Sequence, residues 1–170
     1  MNRGNVLVTG PPGIGKSTVI EKLLQRLGLP ATGFFTREIR EQGRRVGFSI
    51  LTCDGRAGVL AHVNIKSAHR VGRYGINLEA LDRLAVPSMV PQTSKQVVVI
   101  DEIGKMECFS KLFREAVVRA LDAENRVIGS ISMKGESFIQ NVKARPDVLL
   151  VKVSEENRDS LVPYLLEALS

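Results

Sequence analysis

Residues 10–17 read Gly-Pro-Pro-Gly-Ile-Gly-Lys-Ser, and the fold follows from them. Gly10, Gly15, Lys16 and Ser17 fill the spacing G-x-x-x-x-G-K-[ST] without a substitution. Such a loop wraps backbone N–H groups around phosphate oxygens, its lysine reaches the β/γ oxygens, and its hydroxyl ligates Mg²⁺. In front of it stands a short apolar strand, Asn5-Val6-Leu7-Val8-Thr9. Behind it Val19, Ile20, Leu23, Leu24 and Leu27 recur at i, i+1, i+4, i+5 and i+8, one face of a helix that Gly28 closes. Strand, glycine turn and helix in that order bring an anion to a helix N-terminus, where the peptide dipoles favour negative charge. The chain therefore reads as nucleotide-binding, with Gly10, Pro11, Pro12, Gly13, Ile14, Gly15, Lys16, Ser17 and Thr18 around the phosphates.

The usual partner of such a loop lies at Val97-Val98-Val99-Ile100-Asp101-Glu102, an apolar strand ending in two carboxylates. Asp101 is expected to join Ser17 in the Mg²⁺ shell that bridges the β- and γ-phosphates. Strand alternation predicts that Glu102 points to the opposite side, towards the γ-phosphate, where a carboxylate can orient and deprotonate a water. That chemistry is hydrolysis; a phosphotransferase would need an acceptor site and a means of excluding the water. Phosphoryl transfer also gains from an arginine aimed at the γ-phosphate. Arg73, between Gly72 and Gly75, is the first candidate, with Arg37, Arg126, Arg145 and Arg158 as alternatives. The catalytic set expected is thus Glu102, Lys16 and Arg73.

Other polar residues carry weaker signals. A capping or solvent-facing role is the default for Ser130 and Ser132, although either could sense the γ-phosphate or the water if strand 127–132 sits between the loop strand and the Asp101 strand. Lys105 and Glu107 read as a charged pair in a solvated loop, with contact to phosphate or ribose as the alternative for Lys105. His62 and His69 lack companions for a metal site. The Asn-Lys-x-Asp signature of guanine-selective proteins is absent, which predicts broad nucleotide use or an adenine preference. Asn157 and Arg158 could flank a base, or Asn157 could begin the last helix.

Composition agrees with a folded protein: 170 residues, 44% hydrophobic and 25% charged, predict a single domain over 1–170. No apolar run approaches the roughly 18 residues of a membrane span. The first strand begins almost at Met1, which leaves no room for a secretory signal, and Cys53 and Cys108 form no metal spacing. These features predict a cytoplasmic chain with two free thiols and no membrane partner, acting as a monomer. The net charge of +6 is uneven: residues 37–73 hold eight lysines and arginines against Glu38, Glu41 and Asp54. A basic segment beside a phosphate site could hold nucleotide phosphates or nucleic acid, or be a solvated face that keeps the protein soluble.

Along the chain, residues 31–61 read as an antiparallel meander at one sheet edge, with turns at 41–44 and 53–56. Residues 70–76 suggest an exposed loop, and Asn77 a cap for a short helix through Leu84, stopped by Pro87 and Pro91. Strand 97–100, helix from Ser110, strand 127–131, helix near 136–143, strand 148–153 and a last helix from 159 or 160 then alternate. The core stripes of the two long helices are expected at Leu112, Phe113, Ala116, Val117, Ala120 and Leu121, and at Leu161, Tyr164, Leu165, Ala168 and Leu169. This alternation predicts a doubly wound α/β sheet with helices on both faces.

Six segments together resemble the small phosphate-loop (P-loop) nucleoside-triphosphatases of the THEP type, called cancer-related nucleoside-triphosphatase in animals. They are Gly-Pro-Pro-Gly-Ile-Gly-Lys-Ser-Thr at 10–18, Gly-Phe-Phe-Thr-Arg-Glu-Ile-Arg at 33–40, Arg-Val-Gly-Phe at 45–48, Val-Gly-Arg-Tyr-Gly-Ile-Asn at 71–77, Ile-Asp-Glu-Ile-Gly-Lys-Met-Glu at 100–107 and Glu-Glu-Asn-Arg at 155–158. The resemblance implies a RecA-like, mostly parallel sheet and Mg²⁺-dependent hydrolysis of ATP, GTP and other nucleoside triphosphates. It also implies a nucleotide between 10–17 and 97–104, which adds Val97, Val98, Val99, Ile100, Asp101, Glu102, Ile103 and Gly104 to the expected site. One departure is a short stretch from Ala85 to Gln96. A nucleotide or nucleic-acid kinase and a nucleic-acid-linked regulatory ATPase are the alternative functions.

Overall fold

A parallel ladder carries both motifs. The computed structural model describes residues 4–170; residues 1–3, where the expected domain begins, lie outside the described residues. In it β1 (Asn5–Thr9), β2 (Ala31–Glu41), β7 (Val97–Ile103), β8 (Val127–Ile131) and β9 (Val148–Lys152) lie parallel in the order β2-β7-β8-β1-β9. Beyond β2 the same sheet continues antiparallel through β3 (Arg44–Thr52), β4 (Ala57–His62), β6 (Tyr74–Ile76) and β5 (Arg70–Val71). The mostly parallel α/β sheet with a meander at one edge is thus as expected. The meander is less of an appendage than its sequence suggests, because β2 pairs with β7 through Ala31–Phe35 and then runs on into the hairpin with β3. Gln42 and Gly43 close that hairpin with φ of 50° and 76°, the left-handed pair that matches strand twist.

Helices cover both faces. On one, α1 (Lys16–Leu27) and α6 (Leu161–Leu169) pack Val19, Ile20, Leu23, Leu161 and Leu165 against Val6, Val8, Val97, Val99 and Ile128. On the other, α4 (Lys111–Asp122) and α5 (Ser137–Lys143) pack Phe113, Val117, Ile139 and Val142 against Leu7, Val98, Ile100 and Ile131. Strands buried on both sides need apolar residues at every position, which is why Val97–Ile100 is unbroken. The side chains of Val97, Val98, Val99 and Ile100 are all spent in the two cores. Ile103 is buried likewise.

Three further expectations are corrected. Residues 70–76 form the β5–β6 hairpin, and Tyr74–Ile76 is buried instead of exposed. After Asn77, whose side chain accepts from Ala80 N–H, helical structure runs past Leu84: α2 (Leu78–Ala80), a π-helical stretch Leu81–Ala85, then α3 (Val86–Ser88). Val86 N–H bonds Leu81 O, five residues back, and this wider ladder relieves the clash that Pro87 would make in an α-helix. Leu112, Tyr164 and Ala168 face solvent, because α4 and α6 each turn only a narrow stripe inward. The C-terminal ends of β1, β7 and β8 meet at one edge, the usual place for a ligand in such sheets.

Candidate active site

The phosphate loop follows β1 and runs straight into α1. Gly15 caps α1 with φ of 110° and offers no side chain, so no side chain caps the first N–H groups of the helix. Pro11, Pro12 and Gly13 are exposed. Lys16 and Ser17, the first two helical residues, reach the end of β7. Lys16 Nζ donates to Gly10 O at 2.8 Å and pairs with Glu102 Oε2 at 3.4 Å. Ser17 Oγ donates to Asp101 Oδ2 at 2.7 Å. Asp101 is buried, and its other oxygen accepts from Ser130 Oγ at 2.6 Å. Two neighbouring residues of the loop thus engage two neighbouring residues of the strand.

Glu102 does not turn to the far side of the sheet. Pairing between β7 and β8 shifts register between Ile100 and Ile103, so regular alternation stops at the pair of acids and both stay at the loop. β8 lies between β7 and β1, as expected. Its Ser130, however, is fully buried, and its hydroxyl is committed to Asp101 Oδ1. Ser132 Oγ donates to Lys134 O in the following loop.

Arg73 is not brought to the site. Its guanidinium donates to Arg45 O and Tyr74 Oη and lies 5.3 Å from the Tyr74 ring, within the outer strands. The β5–β6 turn needs Gly72 in the left-handed region, and that turn, not a hinge, explains the glycine beside Arg73. Arg126 precedes β8 at the end away from Ser130, and Arg145 is held by Asp122 and Asp147 at 2.6 and 2.8 Å. The structure instead brings in two of the alternatives. Arg37 Nη1 lies 4.0 Å from Asp101 Oδ2 and the same guanidinium bonds Glu21 of α1. Arg158 Nη1 donates to Ile14 O, at 3.3 Å, from the turn after β9. Asn157 neither begins a helix nor is free for a base: it accepts from Ser154 N–H and donates to Lys152 O.

Behind Glu102 the chain departs most from its sequence reading. Lys105 is exposed, but Glu107, expected beside it in solvent, is buried at the start of a 3-10 turn, Glu107–Phe109. Burial, then the negative charge of Glu102, push its carboxyl up to about 8. Next to it the half-buried Cys108 thiol is pushed up to about 12, first by burial and then by Glu107. His62 Nδ1 accepts from Asn64 N–H, and His69 lies against the Phe109 ring. Among the described residues no three His, Cys, Asp or Glu gather to hold a metal, and no helix is long and apolar enough to cross a membrane.

With this geometry in hand, comparison with known proteins is specific. The family model described as NTPase matches residues 5–166. The nucleoside-triphosphatase THEP1 of Thermotoga sp. (strain RQ2) is 43% identical over 165 residues, covering 96% of this chain and 94% of the relative. The crystal structure of THEP1 from the hyperthermophile Aquifex aeolicus superposes with a TM-score of 0.88 at 33% identity, over 98% of this chain and 99% of that one. The solution structure of a human cancer-related nucleoside triphosphatase gives 0.82 at 36% identity, over 98% and 97%.

Proposed function

The chain belongs to the NTPase family, and from that premise we propose how it hydrolyses nucleoside triphosphates and with which residues. The substrates are ATP, GTP and other nucleoside triphosphates, cut to diphosphate and phosphate with Mg²⁺ by one cytoplasmic domain acting as a monomer. The observation that carries this reading is the double engagement of Lys16 with Glu102 and Ser17 with Asp101.

Ser17 and Asp101 suit Mg²⁺: a hydroxyl and a carboxylate are hard oxygen donors, already 2.7 Å apart. Two protein ligands suffice for an ion that keeps waters and takes phosphate oxygens. Ser17 and Asp101 would hold the ion, which would supply charge neutralisation to the phosphates. Lys16 moves its ammonium from Glu102 to the phosphates, and the freed Glu102 carboxylate takes a proton from the attacking water. A new bond forms from the water oxygen to the γ-phosphorus; the bond to the β–γ bridging oxygen breaks, and its electron pair leaves with the diphosphate. Arg37, adjoining Asp101 and the first turns of α1, is the arginine placed to meet charge on the γ-phosphate.

Phosphate release from ATP, GTP, CTP and UTP tests the scheme, with and without RNA and with and without a nucleoside monophosphate acceptor. Release from each triphosphate with Mg²⁺ alone is expected, and activity that appears only with an acceptor would make the protein a kinase. RNA retention that weakens steeply with salt would mark a nucleic-acid-linked ATPase. Within segment 37–73 three of the eight basic side chains pair locally, Arg40 and Arg45 with Glu38 and Arg56 with Asp54, which lessens the charge open to RNA, so a modest RNA effect is expected. In the same assay Arg37→Ala should lower kcat at least about tenfold, and Arg73→Ala should stay within about twofold of the native rate. Equal rates for the two variants would remove Arg37 from the mechanism.

A further inference from the structure

Glu107 has no part in the scheme above, yet it stands beside Glu102. It is 5% exposed, and a Cβ built on Gly104 would lie 2.8 Å from Glu107 Oε2 and 2.9 Å from Glu102 Oε1. The two carboxyl groups therefore both crowd the bare Cα of Gly104, where a side chain would clash with each. From β7, Asp101 and Glu102 face Glu107 with negative charge; from its own turn come the backbone N–H groups of Gly104 and Glu107 and the Cys108 thiol. No cation answers it. Lys16 is taken by Glu102 and Gly10 O, Arg114 of α4 donates to Cys108 O, and among the described residues no lysine, arginine or histidine pairs with Glu107.

Two carboxylates brought together beside Gly104 disfavour each other's ionisation, and burial adds to this at Glu107. Glu102 is part-exposed and has Lys16 as counter-ion; Glu107 has neither advantage. We propose that Glu107 is a positioning residue for hydrolysis: as a neutral carboxylic acid across Gly104, it backs the Glu102 carboxylate and leaves Glu102 the anion that faces Lys16 and the water. This rests on Glu102 being the base. Loss of the Glu107 proton puts a second negative charge against Glu102 and against the incoming triphosphate, so turnover falls at alkaline pH. The sign for stability agrees. The folded value lies above the unfolded one, so the stability that this group contributes is present below the unfolded value near 4.5 and is lost as pH rises through about 8.

Glu107→Gln keeps the shape and cannot ionise. The measurement is kcat and KM for MgATP from pH 6 to 10, with melting temperature at each pH. The native chain should lose kcat with a midpoint near 8. Glu107→Gln should lose about two- to fivefold at pH 7, carry its alkaline limb at least about one pH unit higher, and melt above the native chain at pH 9 but not at pH 5. Glu107→Asp should restore the native limb. Superimposable alkaline limbs for native and Glu107→Gln overturn the proposal. A carboxyl ¹³C titration of the native chain needs no variant: one glutamate titrating near pH 8 supports it, and all glutamates ionised by pH 6 overturn it. If Glu102→Gln kept full turnover, the base assignment would fail while the late-titrating glutamate remained, so the two failures are distinguishable.

Discussion

Glu102→Gln should bind MgATP within about threefold of the native chain and turn it over about 10²–10⁴ times more slowly, the range that a positioned general base contributes. The amide keeps the size and the hydrogen-bonding reach of the carboxylate but cannot take a proton. In the proposed scheme binding is carried by other groups: Lys16, the uncapped N–H groups of α1, and the Ser17–Asp101 pair at 2.7 Å. Loss of the charge also frees Lys16 from its 3.4 Å ion pair, so affinity should rise slightly if it changes. Equilibrium binding and single-turnover phosphate release on one preparation separate the two effects. Turnover within a factor of three of native would remove Glu102 from the mechanism, whereas lost binding would assign it to the phosphate cradle.

The second large effect is on the fold. Gly33 pairs with Val99 across the β2–β7 ladder, with φ of +106°. A Cβ there would lie 2.0 Å from Val99 O and 2.7 Å from Val99 N, both backbone atoms that no rotamer change can move. Gly33→Ala must therefore part the strands two residues before Asp101, and it should cost at least about 4 kcal/mol, the size reserved for severe steric or backbone mechanisms. Gly28→Ala is the control. That glycine is also left-handed, at φ of 64°, but its Cβ would meet nothing within 4 Å, so only the conformational cost of about 1–2 kcal/mol applies. Urea midpoints at unchanged m-value give both numbers. Equal midpoints for the two variants would show that the strands can yield.

Legibility followed distance along the chain. The loop at 10–17, its strand and its helix are contiguous, and the residues that cap, bury and turn them lie within a few positions, so local spacing reports them. The same holds for Ser110, whose hydroxyl accepts from Phe113 N–H at the start of α4. Residues 70–85 differ from their sequence reading for the opposite reason: strands of two and three residues and a π-helical stretch have no repeating period to detect. The glycines around Arg73 carried a false signal, since a tight hairpin turn and a mobile phosphate-binding loop ask for the same residue type.

By itself the sequence determined that a triphosphate loop, an acid-tipped apolar strand and a doubly wound sheet belong to this chain, because each is written in neighbouring residues whose backbone geometry is local. Which arginine adjoins Asp101, which serine holds it, and whether Glu107 meets water or Glu102 were decided only in three dimensions. Those contacts depend on strand order, on the register shift after Ile100 and on the bare Cα of Gly104, and each joins groups that no periodicity links. Burial supplied the rest: the Glu107 carboxyl is pushed above its ordinary range because the fold withholds solvent from it.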